Sequence, residues 1–452
     1  MSIIKKRIIK LSIASLVSVS LLALSTLSQE AGAVELSATV NPLLSDALNT
    51  PTSLTIWSWD PGIQNQVNIF TSKYPKITVN VVNAGSGTSE YNNLRADLIS
   101  QTGLPDVAQL EYQILPNFKA LGALANIAPY LARNWSSQFP NWLNSQVSDG
   151  KGGIFAVPQD SGPMALFYRA DTLAKYNLVP PKTWTEFAAD AAIIHQSDPT
   201  SYLADLVTNP GNMNGLYWQA GSRPFHLKSA KSINIKLNDA ATKRVSKFWG
   251  DLVLSGNISV DQNWTTEWNA GFNSGKYASW PSAAWAVGSL ASMAPNTSGK
   301  WHVAALPTWG SSPASGNWGG SSLAVISASK HLAAAAALAD FINTNPATSL
   351  VLTQAPTFDF PATNYILNSS AYKSATSPFF GGQNVNQAFI NYNNTVDKNF
   401  EWSPFQDQVY DFWNNSVLDA ILNKRDTAAA VDNWQADVVA YARNQGFTVT
   451  TN

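Results

Sequence analysis

Strand-like and helix-like patterning alternate along the chain from Leu54 onward, and this alternation limits the possible folds more than any other feature. Leu54-Thr55-Ile56-Trp57 reads as a strand, and Ser58-Trp59-Asp60-Pro61-Gly62 as the loop that ends it. Residues 63–74 then place Ile63, Val67 and Phe70 on one helical face. Ile77 to Val82 alternates as a second strand, and Gly85-Ser86-Gly87-Thr88-Ser89 opens a second helix with Tyr91, Leu94 and Leu98 on its inner side. Pro105-Asp106-Val107-Ala108 leads into a third strand. Strands separated by helices of this length build a parallel sheet, so the expected class is α/β. At 452 residues the chain is too long for one ordinary core and points to two domains.

A second informative stretch is GGIFAVPQDSGPMALFYRADTLAKYNLVPPKTWTEF, from Gly152 to Phe187. Ile154 to Val157 is a short apolar strand that Pro158 stops, because proline has no N–H to extend a ladder. After a polar turn through Gln159, Asp160, Ser161, Gly162 and Pro163, the apolar run Met164 to Tyr168 begins. Pro180-Pro181 imposes an extended approach, and Thr183-Trp184-Thr185-Glu186 has the form of a capping box at a helix start.

The whole string resembles the hinge and second-lobe entry of bacterial extracellular solute-binding proteins of the sugar-binding type, relatives of maltose-binding protein. Two further runs are similar to that family. One leads from Phe272-Asn273-Ser274-Gly275 to Trp285; the other is Ala305-Leu306-Pro307-Thr308-Trp309, leading to Trp318-Gly319-Gly320-Ser321 and Val325. The resemblance runs from about Leu54 to Val439. It implies a two-lobed periplasmic-binding-protein fold of type II with a multi-crossing hinge, and a receptor without catalysis or cofactor. Such a receptor would be a monomer that binds a small carbohydrate and delivers it to ABC permease subunits. The expected division gives lobe one residues 53–159 and 281–330, and lobe two residues 160–280 and 331–452.

The first residues have the pattern expected of an export signal. Lys5, Lys6, Arg7 and Lys10 precede an apolar run from Leu11 to Leu27, and Ala31-Gly32-Ala33 has the form of a cleavage site. Residues 1–33 are thus expected as a signal peptide and 34–52, rich in Ser, Asn and Pro, as a flexible linker. There is no cysteine, which excludes disulfides, thiolate metal sites and a lipid-modified cysteine, so the expectation is a periplasmic or secreted protein. Removing residues 1–33 leaves 24 basic and 28 acidic residues, a net charge of −4. Nothing in this balance suggests nucleic acid or an anionic membrane. Charged residues make up only 13%, against about 25% in typical soluble domains. Life in acid would account for this, because fewer carboxylates then change charge.

Seventeen tryptophans supply the chemistry expected of a sugar site. Sugars offer apolar C–H faces and polar edges, and are held by flat aromatic rings beside carboxylates and amides. Trp59 and Asp60 follow the first strand, and Glu111 and Tyr112 the third, at the carboxyl ends where open α/β sheets place ligands. The resemblance adds Asp160 at the hinge, Trp285 as a ring platform, Trp218 as second-lobe wall and Trp318-Gly319 as a loop of the cleft. Trp264, Trp268, Phe358, Asp359 and Trp402 are further possible contacts.

Other classes fit less well. A glycoside hydrolase needs a paired carboxylate arrangement, and no carboxylate motif is distinctive. His195, His226, His302 and His331 are scattered, so no metal site is expected. Gly85-Ser86-Gly87 lacks the third glycine of a dinucleotide loop and the Lys-Ser/Thr of a P-loop. A sensory binding protein would share the same fold and stays open as an alternative.

Overall fold

The computed structural model describes residues 42–310, 314–354 and 357–451. The expected signal peptide lies outside them, as do residues 34–41 of the expected linker. Among the described residues the strands, in chain order, are β1 (Thr52–Trp57), β2 (Ile77–Val82), β3 (Val107–Glu111), β4 (Val157–Pro158), β5 (Met164–Arg169), β6 (Phe225–Ser229), β7 (Ser232–Ile235), β8 (Ser279–Ala283), β9 (Trp301–Ala304), β10 (Ser321–Val325) and β11 (Thr448–Thr450).

The first lobe is built on a five-stranded sheet in the order β2-β1-β3-β10-β4. β1 runs parallel to β2 and β3, as the strand–helix alternation requires, while β10 returns antiparallel between β3 and β4. Leu54 and Ile56 of β1 and Val107, Ala108 and Leu110 of β3 are fully buried, the near-continuous burial of a sheet covered on both faces. The second lobe has two three-stranded sheets, β8-β5-β9 and β11-β7-β6. The expected capping box forms: Thr183 Oγ1 accepts from Glu186 N at 3.1 Å, and Glu186 Oε2 accepts from Thr183 N at 3.2 Å.

Three stretches fall on the other side of the expected division, the shortest being Val396, Phe400 and Trp402, which pack in the first core. β8 and β9 both pair with β5, Leu166 lying opposite Pro281 and Ala304, so residues 281–310 and 314–318 pack in the second core and not the first. Conversely, the helix Leu332–Thr344 packs in the first core, and Pro346–Leu352 lies beside the Ile63–Lys73 helix, where Gln66 Nε2 donates to Thr348 O at 3.0 Å. The alanine face of the Leu332–Thr344 helix, including Ala334, Ala335 and Ala339, lies against β10 and the Ile63–Lys73 helix. Small side chains make that close approach possible. The crossings between lobes therefore sit at Gln159–Pro163, at Trp318–Ser321 and beyond Leu352, not near Trp280 or immediately after Val325.

Part of the expected linker is also structured. Pro42–Asn49 is a helix, and its face of Leu44, Ala47 and Leu48 rests on the first core beside the Leu332–Thr344 helix. The i, i+3, i+4 spacing of those three residues is the reason.

Candidate functional site

On the first-lobe side the ends of β1 and β3 are tied together by Gln109. Its Oε1 accepts from Ser58 Oγ at 2.6 Å and from Trp59 N at 3.2 Å, and its Nε2 donates to Ser321 Oγ at 2.9 Å. This fixes the loop that presents Trp59, whose half-buried ring meets Tyr91 edge-on at 6.5 Å. Tyr91 OH in turn donates to Glu111 Oε2 at 2.7 Å. Burial raises the Glu111 carboxyl above its ordinary range, and the negative Asp407 adds to this, while the bonds from Tyr91 and Gln113 oppose it.

At the hinge, Asp60 and Asp160 are both deeply buried. Asp60 Oδ1 accepts from Gly62 N at 2.7 Å and Thr357 Oγ1 at 2.9 Å, and its Oδ2 accepts from Gln159 Nε2 at 3.1 Å. Asp160 Oδ1 accepts from both the backbone N and the Oγ of Ser321, each at 2.7 Å. Burial, with smaller contributions from the neighbouring Asp60 and Glu111, pushes Asp160 up to about 6 against the pull of Ser321. Asp359 is raised well above its ordinary range by burial and by Asp160 and Asp60. Both predicted aspartates thus brace the crossing segments to each other.

Two other predicted residues are packed away. Tyr112 is fully buried, donates through its hydroxyl to Asp160 O at 2.7 Å and meets Trp142 edge-on. Alternation along the chain turns it to the face opposite Glu111. Trp218 sits on the second-lobe helix Pro210–Gln219, yet its ring lies in the first core, stacked on Phe400 at 4.1 Å and 10°. Its Nε1 donates to Asp397 O at 2.9 Å. Trp218 joins the two lobes and offers no open face.

On the second-lobe side, Trp285 follows β8 at the start of the Ala286–Met293 helix and keeps part of its ring open. Its Nε1 donates to Trp318 O at 3.0 Å, and the two rings meet at 4.8 Å and 75°. Gly319, with φ of +72°, completes the turn; a Cβ there would stand 3.3 Å from Trp285 Nε1 and 3.8 Å from Glu111 Oε1. Glycine meets both demands, a left-handed backbone and close approach. The first-lobe carboxylate and the second-lobe indole are therefore brought to the same point. Of the further candidates, Trp268 is fully buried and Trp402 nearly so, whereas Trp264 and Phe358 are exposed.

Sequence reasoning did not single out Gln109, Tyr91 or Ser321 as parts of this arrangement. Tyr91 showed only the apolar spacing of a helix face, and Gln109 and Ser321 lie 212 positions apart. No local signal exists for such pairs.

A family model described as bacterial extracellular solute-binding protein matches residues 56–349. The lactose-binding protein of Rhizobium radiobacter is 26% identical over 358 residues, covering 75% of this chain and 81% of that protein. Among solved structures, the ABC transporter associated binding protein from B. animalis subsp. lactis, in complex with β-1,6-galactobiose, aligns with a TM-score of 0.78 and 28% identity over 89% of this chain and 100% of that one. The galacto-N-biose-/lacto-N-biose I-binding protein from Bifidobacterium longum, in complex with lacto-N-biose, aligns with a TM-score of 0.75 and 24% identity over 88% and 98% of the two chains. With a matching model over most of its length and the two-lobed architecture described above, this chain belongs to the bacterial extracellular solute-binding protein family.

Proposed function

We propose that this protein is the substrate-binding component of an ABC importer and captures a neutral di- or oligosaccharide between its lobes. The observation that carries this reading is the meeting of Glu111 and Trp285 at Gly319. A carboxylate that accepts from sugar hydroxyls then faces an indole that covers a C–H face of the same ring. Trp59 extends the first-lobe side, and the Trp318-Gly319 turn presents backbone groups at the seam. Asp60, Asp160, Tyr112 and Trp218 support the hinge and take no part in direct contact.

Closure follows from linkage. A ligand that touches both lobes binds the closed form more tightly and shifts the population by that difference in affinity. The closed form is then the one recognised by the permease subunits. The amino-terminal segment supports export, and the mildly negative balance gives no support to a nucleic-acid partner. The sugars named for two of the relatives, lactose and β-1,6-galactobiose, support a galactose-containing disaccharide.

Titration calorimetry of residues 34–452 against lactose, β-1,6-galactobiose and maltose, with the sugar analysed afterwards, tests the proposal. Saturable binding with the sugar recovered intact is expected. Cleaved sugar, or no binding across neutral di- and trisaccharides, would overturn it.

A further inference from the structure

We propose that Trp264 is a second ring-stacking platform and that it makes the site favour ligands of two or more linked sugar rings. This rests on the reading of the site as a sugar receptor and assigns a residue to its choice of ligand length.

Trp264 stands out on two independent counts. It is 49% exposed, whereas its neighbours Trp268 and Trp280 are buried and Trp318 is nearly so. It also has φ of +66°, in the left-handed region where a bulky side chain is rare and glycine or asparagine is at ease. Its ring packs on Trp268 at 5.0 Å and Trp280 at 6.1 Å on one side, so packing accounts for only part of the indole, and backbone preference does not favour tryptophan here. Strain of this kind persists where the surroundings over-determine it, and it concentrates at ligand clamps.

Those surroundings are present. Asn263 Oδ1 accepts from Thr208 N at 2.7 Å and Thr208 Oγ1 at 2.8 Å, and its Nδ2 donates to Asp205 Oδ2 at 2.6 Å and Leu206 O at 3.1 Å. The same Asp205 Oδ2 accepts from Trp268 Nε1 at 2.9 Å. On the other side, Thr265 caps the Thr266–Ser274 helix by accepting from Trp268 N. The residues before and after Trp264 are thus both fixed. A platform set in advance costs less entropy when a ligand arrives.

The placement also fits a linear ligand. The Trp264 ring centroid lies 6.2 Å from that of Trp285, with 40° between the planes, and 6.3 Å from that of Trp318. One sugar ring cannot lie flat on both Trp264 and Trp285. Two linked rings can, the first held at Trp285 beside Glu111 and the next on Trp264. The site then discriminates by length, since a monosaccharide uses Trp285 alone.

Calorimetric titration of the full mature chain and of Trp264→Ala, against galactose, lactose and β-1,6-galactobiose, tests this. The expected result is at least a tenfold loss of affinity for the disaccharides, with galactose affinity, where measurable, unchanged within twofold. Trp264→Phe should recover most of the loss, because a flat ring is retained, and melting curves of both variants should match the parent. Equal losses for galactose and the disaccharides, or disaccharide affinity unchanged in Trp264→Ala, would overturn the assignment while leaving the receptor reading intact. Failure of the parent protein to bind any neutral sugar would overturn both.

Discussion

Glu90 offers the sharpest test of the energetics of this structure. It lies in the first turn of the Thr88–Ser100 helix, is 0% exposed, and neither carboxyl oxygen meets a hydrogen-bond donor. Burial pushes its carboxyl from the ordinary value of 4.5 up to about 8. At pH 7 the folded protein therefore keeps a proton that the unfolded chain has released. Each pH unit of that retention costs about 1.4 kcal/mol, so between pH 4.5 and 7 the cost reaches about 3 kcal/mol. The sign follows directly. A carboxyl raised by folding contributes its full stability below the unfolded value and loses it as pH rises toward the folded one. Glu90→Gln keeps the shape of the protonated acid and has no proton to retain. It should therefore be more stable than the parent by up to about 3 kcal/mol at pH 7, with a difference that vanishes below about pH 4.5. Urea unfolding of both proteins from pH 4 to 8 measures this. A difference that does not change with pH, or a variant less stable at pH 7, would show that the carboxylate is ionised and satisfied, and the argument from its burial would be wrong.

Three other outcomes are expected. Trp285→Ala should weaken sugar binding by more than about 1 kcal/mol, the worth of a stacked ring beyond its buried area; unchanged affinity in a folded variant would remove Trp285 from the site. Trp218→Ala should destabilise the protein by about 4 kcal/mol, since it empties a buried indole space and breaks the link to Phe400 and Asp397; a loss below 1 kcal/mol by urea unfolding would refute its bridging role. Asp160, Asp205 and Asp340 are each raised by burial to about 6, so their contributions are retained in acid and fall as pH rises through 6. The melting temperature of the parent protein should therefore rise between pH 7 and pH 5, and a steady fall over that range would contradict these assignments.

Most of the architecture was legible because local patterns report local structure. The strand–helix alternation from Leu54 to Glu111 forms as read, as does the capping box at Thr183, because periodicity and capping depend on residues a few positions apart. The lobe assignment of β8 and β9 was not legible. An apolar strand carries no mark of which sheet it joins, and the pairing of Leu166 with Pro281 and Ala304 decided it. The Leu332–Thr344 helix likewise shows an apolar face without saying which core receives it.

The candidate site divides in the same way. The sequence by itself determined the residue types a sugar site needs and put Glu111, Trp59 and Trp285 at the ends of elements, since the end of a strand or the start of a helix is a local property. Only the tertiary structure decided which of them are free. Tyr112 and Trp218 carry suitable rings, but one faces a core and the other reaches into the opposite lobe, because side-chain direction is settled by packing across the sheet and the seam. Asp60 and Asp160 have suitable carboxylates, and long-range partners at Thr357 and Ser321 engage them. Trp264 lies in a loop whose composition says little. Asn263 just before it is held by hydrogen bonds to residues more than 50 positions away, and contacts at that separation exist only once the chain has folded.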